Sequence, residues 1–462
     1  MDPEEKNNQS FEWENGPLRH LILLAWPIAV SMVSYSVMSL VDTAFVSRLG
    51  TSAIAGVGLA ITLSFALLCF TFGLLRAIKV LVSQSRGAGL ENESVAYLGA
   101  GCVVALVLGV VLMALSPLVD SVLPYLSASE SASDAASSYF TVRMMGVVPL
   151  LIFVAFREYG YGCGNSQLPM VASVAGNLLN IGLDYLFIFE LEMGVAGAAW
   201  ATVAGACLEA SVMLVAMRGL LPQLRTMRRH HLKAIWDIGL PSGLQFTLEM
   251  GSFTLLAVMI SRLDEVEMVS HQVALQVIHF AFLPAVAFGE AASVMVGEAV
   301  GASRDKLVTP ISWLTAKLVT AYMVLCGVIL VLFGREIASL FVSEAVFVER
   351  TMALFYVACV FLFFDGTNIV SRCVLRGIGD VRFPAVVGII SAWLFTPPLM
   401  WLLGYKMGLG ALGGWIGLCL EVVLGTVILA HRLYRGGWVD AARESRERVG
   451  KVMSSVIPVK IS

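Results

Sequence analysis

The sequence predicts an all-α polytopic membrane protein of twelve transmembrane helices, set as two six-helix lobes related by pseudo-two-fold symmetry. Three observations predict it. Of the 462 residues, 58% are hydrophobic and only 14% charged, whereas a soluble globular domain carries about 25% charge. Apolar runs of about 20 residues, the length that crosses a hydrocarbon core as a helix, recur along almost the whole chain. The second half also repeats the first at a nearly constant offset. Runs this long are helices, because a barrel strand spans the same core in about 10 residues.

Taken in order, the first segment, MDPEEKNNQSFEWENG, is acidic and polar. It lacks the basic stretch and small-residue cleavage site of a secretory leader, so residues 1–20 are expected to stay as a cytoplasmic tail. Spans follow at 21–46, 52–83, 96–118, 138–162, 167–189 and 195–217, forming an N-lobe over 21–217. The stretch 218–234, with Arg218, Arg225, Arg228, Arg229 and Lys233, reads as a basic cytoplasmic linker. Spans at 235–261, 268–298, 309–333, 351–375, 381–403 and 411–433 form a C-lobe over 235–433, and 434–462 is a basic cytoplasmic tail.

Orientation follows from where Lys and Arg fall. Arg76, Lys79, Arg86, Arg157, the linker cluster, Arg304, Lys306, Arg372, Arg376, Arg382 and the tail lie on one side of this topology. The opposite side has few basic residues, and Val119 to Ser138 has none. Both termini are therefore expected in the cytoplasm. The eight cysteines form no Cys-x-x-Cys pair and the six histidines no His-Glu-x-x-His, so neither a redox motif nor a zinc motif is present.

The repeat is legible residue by residue. WPIAVSMVSYSVMSLVDTAFVSRLG from Trp26 aligns with LPSGLQFTLEMGSFTLLAVMISRLD from Leu240, pairing Pro27 with Pro241 and Ser47-Arg48-Leu49 with Ser261-Arg262-Leu263. Gly87-Ala88 matches Gly301-Ala302, Arg157 matches Arg372, and Cys207-Leu208-Glu209 matches Cys419-Leu420-Glu421. Six spans is an even number, so both halves enter the membrane in the same sense, as in transporters built from parallel repeats. A cleft between such halves is the natural place for a substrate.

Carboxylates within spans are the strongest functional signal, because a charge at the centre of a spanning helix costs about 2.5–3.5 kcal/mol on insertion scales. Asp42, Asp184, Glu209, Glu249, Glu290, Asp365 and Glu421 all qualify, and none has Lys or Arg within one turn of its own helix. Such an acid survives by taking a proton or by coordinating a cation with other oxygens. In GNLLNIGLDYLF, Asn180 sits four residues before Asp184 and Asn177 seven before, on one helix face. That set suits Na⁺ or H₃O⁺ as well as H⁺. Glu209 and Glu421 are repeat-related, which equally fits a structural role in both halves.

With these stretches in place, the sequence resembles the multidrug and toxic compound extrusion (MATE) family over almost its whole length. The resemblance lies in the first repeat stretch, GNLLNIGLDYLFIF, LPSGLQFTLEMGSF, SHQVALQV, FGEAASVMVGEAVGA and FDGTNIVSRCVLRGIGD. It implies a V-shaped pair of lobes that exports organic cations or other amphipathic compounds in exchange for H⁺ or Na⁺. The family's N-lobe cation site falls on Asp42, Asn180 and Asp184, where Na⁺ is a candidate metal, with Tyr139 and Thr202 placed where its other oxygens come from. The C-lobe acids of the NorM branch fall on Glu249 and Asp365, and retaining both sets argues for that branch over the one named for DinF. Aspartate at 184 departs from NorM-like members with asparagine there, so the coupling ion stays open.

The mechanism implied is alternating access, with Pro27 and Pro241 as matched bends, because proline cannot donate a helix hydrogen bond. Aromatic rings suit flat cations, which makes Phe246, Phe364 and Trp393 candidate substrate contacts; Gln245, His271, Gln272 and Asn368 are polar candidates near the acids. The sequence has no G-x-x-x-x-G-K-[ST] and no G-x-S-x-G, so an ATP-driven pump and a serine hydrolase are disfavoured and no enzyme is expected. A lipid-linked oligosaccharide flippase or a membrane receptor are the alternatives. Expected partners are a small cationic or amphipathic substrate and membrane lipid, with no nucleic acid and no cofactor beyond the coupling ion. A monomer in the bacterial inner membrane is expected.

Overall fold

A computed structural model describes residues 11–127, 129–342 and 344–456. Residues 1–10 of the expected N-terminal tail and 457–462 of the expected C-terminal tail lie outside it. All regular structure among the described residues is helical.

The helices are α1 (Pro17–Ser47), α2 (Thr51–Gly87), α3 (Glu91–Asp120), α4 (Glu130–Met145), α5 (Val147–Gly162), α6 (Gln167–Tyr185) and α7 (Gly194–Ala216) in the first half. In the second half they are α8 (Arg229–Ser261), α9 (Glu265–Gly301), α10 (Val308–Ser339), α11 (Ala345–Ile378), α12 (Arg382–Leu399), α13 (Ala411–Tyr434) and α14 (Val439–Val456). Eleven helices among the described residues are long and apolar enough to span, and α4 with α5, bent by 50° at Gly146, bring the number to twelve. Large side chains such as Val107, Leu178, Val215 and Leu332 are exposed, as on a surface that meets lipid.

Several helices outrun the expected spans because hydropathy marks only the part in hydrocarbon. The 37-residue α2 is about 55 Å long, against a core of about 30 Å. The expected single span over 138–162 is instead two helices, since Gly146 ends α4 and starts α5. The C-terminal tail is largely the helix α14, whose sequence VDAARESRERVGKVMSSV has no apolar run. It docks through the Ser445 hydroxyl, which donates to the Ile378 carbonyl at 2.9 Å, and through Arg446, which pairs with Asp305.

Two compact units divide the chain. One comprises Pro27–Val82 and Leu90–Gly243; the other runs up to Trp26, then Ser83–Gly89, then from Leu244 onward. Two of the four boundaries cut helices near the matched prolines, α1 at Pro27 and α8 just after Pro241; a third cuts α2 between Val82 and Ser83. Within the first unit α6 packs along α7 and α3 along α5; within the second, α11 packs against α9, α10 and α13. That makes α11 the hub of its unit.

Candidate functional site

In the Pro27–Val82 and Leu90–Gly243 unit, the acids and amides gather where α6 and α7 cross. Close approach there depends on two glycines. A Cβ on Gly176 would lie 2.4 Å from Glu209 Cγ, and one on Gly205 would lie 2.9 Å from the Gly176 carbonyl. Asn177, Asn180 and Asp184 then share the inner face of α6 and are all buried. After Tyr185 the helix widens into a π-turn over Leu186–Glu190, a feature common at functional sites.

Asp42 from α1 reaches this face. Its carboxyl lies within hydrogen-bonding reach of Asp184, and both are buried, at 8% and 0% exposure. Asn180 donates to Thr202 Oγ1 at 3.4 Å, and Thr202 donates onward to the Ala198 carbonyl at 2.9 Å. Tyr139 on α4, buried, lies close to Thr202. Asn177 donates to Ser34 Oγ at 2.8 Å and ties α6 to α1. The structure therefore brings together all five residues assigned to this site by sequence.

Four oxygens of this cluster are buried with no hydrogen-bond donor: Asp42 Oδ1, Asn180 Oδ1 and both carboxylate oxygens of Asp184. Burying acceptors without donors is costly, and two touching carboxyls cannot both stay ionised without a counter-charge. A proton shared between the acids or a small cation among the four oxygens relieves the conflict. The oxygen-only donor set fits Na⁺ chemically. Arg143 lies within Coulombic reach of Asp42 and Glu209.

The other unit holds a network with a different logic. Arg372 Nη1 on α11 donates to both oxygens of Glu249 on α8, at 2.9 and 3.0 Å. Gln245, one turn before Glu249, donates to Glu249 Oε1 at 2.9 Å and accepts from Arg376 at 3.0 Å. Asp365, buried two turns before Arg372 on α11, keeps Oδ2 without a partner. Glu421 on α13 accepts from the Thr396 hydroxyl at 2.5 Å. Arg372 interacts electrostatically with all three acids, Glu249, Glu421 and Asp365.

Gly388 on α12 makes room for this arrangement, because a Cβ there would fall 2.1 Å from Glu249 Oε1 and 2.7 Å from Gln245 Nε2. Gly388→Ala should therefore displace the Glu249 carboxylate and lower the thermal stability of the detergent-solubilised protein by about 1–3 kcal/mol, the cost of one displaced charged hydrogen-bonding group, while leaving it folded. An unchanged melting temperature in that variant would contradict this placement.

The proposed substrate contacts divide. Gln245 is part of the acid network. Asn368 donates to the Val422 carbonyl at 3.4 Å, and the Phe364 carbonyl accepts from Thr426. His271 accepts from the Trp415 indole at 3.1 Å, leaving its Nε2 buried without a partner. Trp393 donates to the Leu248 carbonyl at 3.0 Å and is 42% exposed. Gln272 is exposed and Phe246 partly buried.

Elsewhere, Glu93, His230 and His231 place three ligand atoms within 4.8 Å of one another. His231 Nδ1 accepts from the Arg228 backbone N–H at 2.9 Å, so the neutral ring carries its proton on Nε2 and donates it to Glu93 at 2.6 Å. The group is thus a hydrogen-bonded clamp between the starts of α3 and α8.

Comparison with known proteins shows the family. The MatE family model matches residues 27–186 and 241–402, one stretch in each half of the repeat. The chain belongs to the MATE family. A "Probable multidrug resistance protein NorM" from Pseudomonas syringae pv. tomato is 29% identical, over 93% of this chain and 96% of its own length. A protein of the same description from Bradyrhizobium diazoefficiens is 30% identical, over 89% and 92%. Among solved structures, the eukaryotic MATE transporter AtDTX14 superposes with a TM-score of 0.85 at 21% identity, covering 93% of this chain and 98% of its own. An outward-facing multidrug resistance MATE transporter gives 0.83 at 20% identity, covering 94% and 96%.

Within this MATE frame, sequence reasoning missed the arginines. Arg157 on α5 pairs with Glu158 at 3.0 Å and interacts with Glu209, as Arg372 does with Glu421. Arg157 and Arg372 are repeat-related, and so are Glu209 and Glu421. The signal was two matched arginines beside two matched glutamates, which together spell a duplicated pair. Arg157 and Arg372 are partly buried within their bundles and held by carboxylates, so they are internal charges and carry little weight for orientation.

Proposed function

We infer that this MATE protein is a secondary active multidrug efflux antiporter, exporting organic cations or amphipathic compounds in exchange for H⁺ or Na⁺, and is not an enzyme. The observation that carries this reading is the contact between Asp42 and Asp184, with four buried oxygens around it that no protein donor serves. Such a site takes up a proton or small cation reversibly, as a coupling site must. The names of the NorM relatives, which speak of multidrug resistance, support the reading as a drug exporter. No cofactor beyond the coupling ion is needed.

In this reading the ion enters the Asp42–Asn180–Asp184 site from outside, and its binding favours the form that has released substrate. An ion moving inward across 100 mV supplies about 2.3 kcal/mol per net charge moved, but one-for-one exchange of a monovalent cation for H⁺ or Na⁺ moves no net charge and is driven by the ion's concentration gradient alone. Pro27 and Pro241 interrupt the hydrogen-bond ladders of α1 and α8 close to the unit boundaries, where bends would accompany alternating access. The protein works as a monomer in the bacterial inner membrane with both termini cytoplasmic, its partners being substrate and lipid and not nucleic acid.

The test is ethidium efflux from proteoliposomes under an imposed ΔpH alone and an imposed ΔNa⁺ alone. Efflux driven by at least one gradient is expected, and the gradient that works names the ion. Ethidium movement that ignores both gradients, with other organic cations behaving alike, would leave a passive receptor or a flippase as the better account.

A further inference from the structure

The Arg–Glu frame shared by the halves carries different additions in each. Position 249 corresponds in the repeat to Tyr35, and 365 to Leu150, so the second half adds two acids where the first has none. One arginine thereby faces three carboxylates. Glu249 is held by Gln245 and Glu421 by Thr396, while Asp365 Oδ2 has no partner.

Arg372 is poorly locked in this cluster. It uses one nitrogen on both oxygens of Glu249 instead of the two-pronged fork that fixes an arginine to a carboxylate, and its Nε is buried without a partner. Asp365 lies seven residues earlier on the same face of α11, and helical side chains lean toward the N-terminus, so Arg372 leans toward that second acid. Arg372 already interacts electrostatically with Asp365 as well as with Glu249, so a change of rotamer would carry its charge toward Asp365. With all four groups ionised the cluster has two negative charges in excess, so Glu249 can be given up to another monovalent cation without leaving Arg372 unpaired.

We propose that Arg372 is a tethered counter-cation that occupies Glu249 when substrate is absent and is displaced toward Asp365 when a cationic substrate binds. This rests on the reading of the protein as an exporter of organic cations, and makes Arg372 a specificity-determining residue of the same function. Guanidinium is delocalised and weakly hydrated, so it stands in chemically for the substrates it competes with. Every cationic ligand must displace it, which weakens binding and lets bound substrate leave.

The experiment is tetraphenylphosphonium binding to the purified full-length protein in detergent, comparing wild type, Arg372→Gln and Arg372→Lys. Arg372→Gln should bind about tenfold or more tightly than wild type. Arg372→Lys, which keeps the charge, should stay within about threefold. A structural defect does not raise affinity, so tightening separates competition from damage. Arg372→Gln binding as weakly as wild type, or not at all, overturns the proposal, because freeing Glu249 and Asp365 must improve a cation site. Efflux assays on wild type report independently on the exporter reading, which fails only if no gradient drives transport.

Discussion

Asp42→Asn and Asp184→Asn each abolish gradient-driven accumulation of a cationic dye, reducing to none the roughly tenfold gradient that a tenfold ion gradient sustains in an electrically silent one-for-one exchange. The two carboxyls lie within interaction reach of each other in a buried cluster whose oxygens lack donors, so one cation or proton can neutralise both. An amide at either position keeps the size but removes the charge that the ion answers, and the remaining acid sits beside a neutral neighbour. Folding should survive, since an amide brings donors to oxygens that now have none. Thermal stability in detergent should therefore hold or rise while transport is lost. A fall in stability parallel to the loss of transport would mean that the pair is architectural.

Glu249→Gln acts on the other unit in the opposite sense. It removes the acid that Arg372 grips with two contacts and weakens the hold on Gln245. Breaking a fully buried ion pair costs about 3–5 kcal/mol, but Arg372 keeps Asp365 and Glu421 within reach. The expected cost is accordingly about 1–3 kcal/mol, the range for one charged hydrogen-bonding group left poorly served. The double variant Glu249→Gln with Arg372→Gln should be more stable than the sum of the single variants predicts, because it removes the stranded charge. Additive melting shifts across that double-mutant cycle would show that the two residues do not interact.

Much of this was legible in the sequence, for a physical reason. A spanning helix must be apolar for about 20 residues, so spans announce themselves, and an acid inside one is a costly exception that stands out. Asp42, Asn180 and Asp184 were found that way, and the i, i+4 spacing put the last two on one face. What the sequence did not reveal depends on contacts between helices. The grip of Arg372 on Glu249 joins positions 123 apart. Both arginines flank apolar spans, where positive charge ordinarily marks the cytoplasmic side, and that signal hid their internal partners. The bend at Gly146 escaped because hydropathy is blind to direction, and α14 because a helix lying outside hydrocarbon need not be apolar.

The same repeat explains why the halves differ in chemistry while sharing a scaffold. Asp42 corresponds to Leu256, fully buried in the second half, whereas Glu249 and Asp365 correspond to Tyr35 and Leu150. Each half keeps an arginine facing a glutamate and adds its own acids elsewhere. One half leaves carboxylate oxygens open, and the other covers both oxygens of Glu249 with a resident guanidinium.

The most direct test of the coupling claim measures two fluxes in the same proteoliposomes: substrate-for-substrate exchange without a gradient, and accumulation driven by the effective ion gradient. Asp42→Asn and Asp184→Asn should retain exchange, which needs only the substrate-loaded protein to reorient, and lose accumulation entirely. Accumulation at the wild-type level in either variant would contradict the assignment of the Asp42–Asp184 pair as the coupling site.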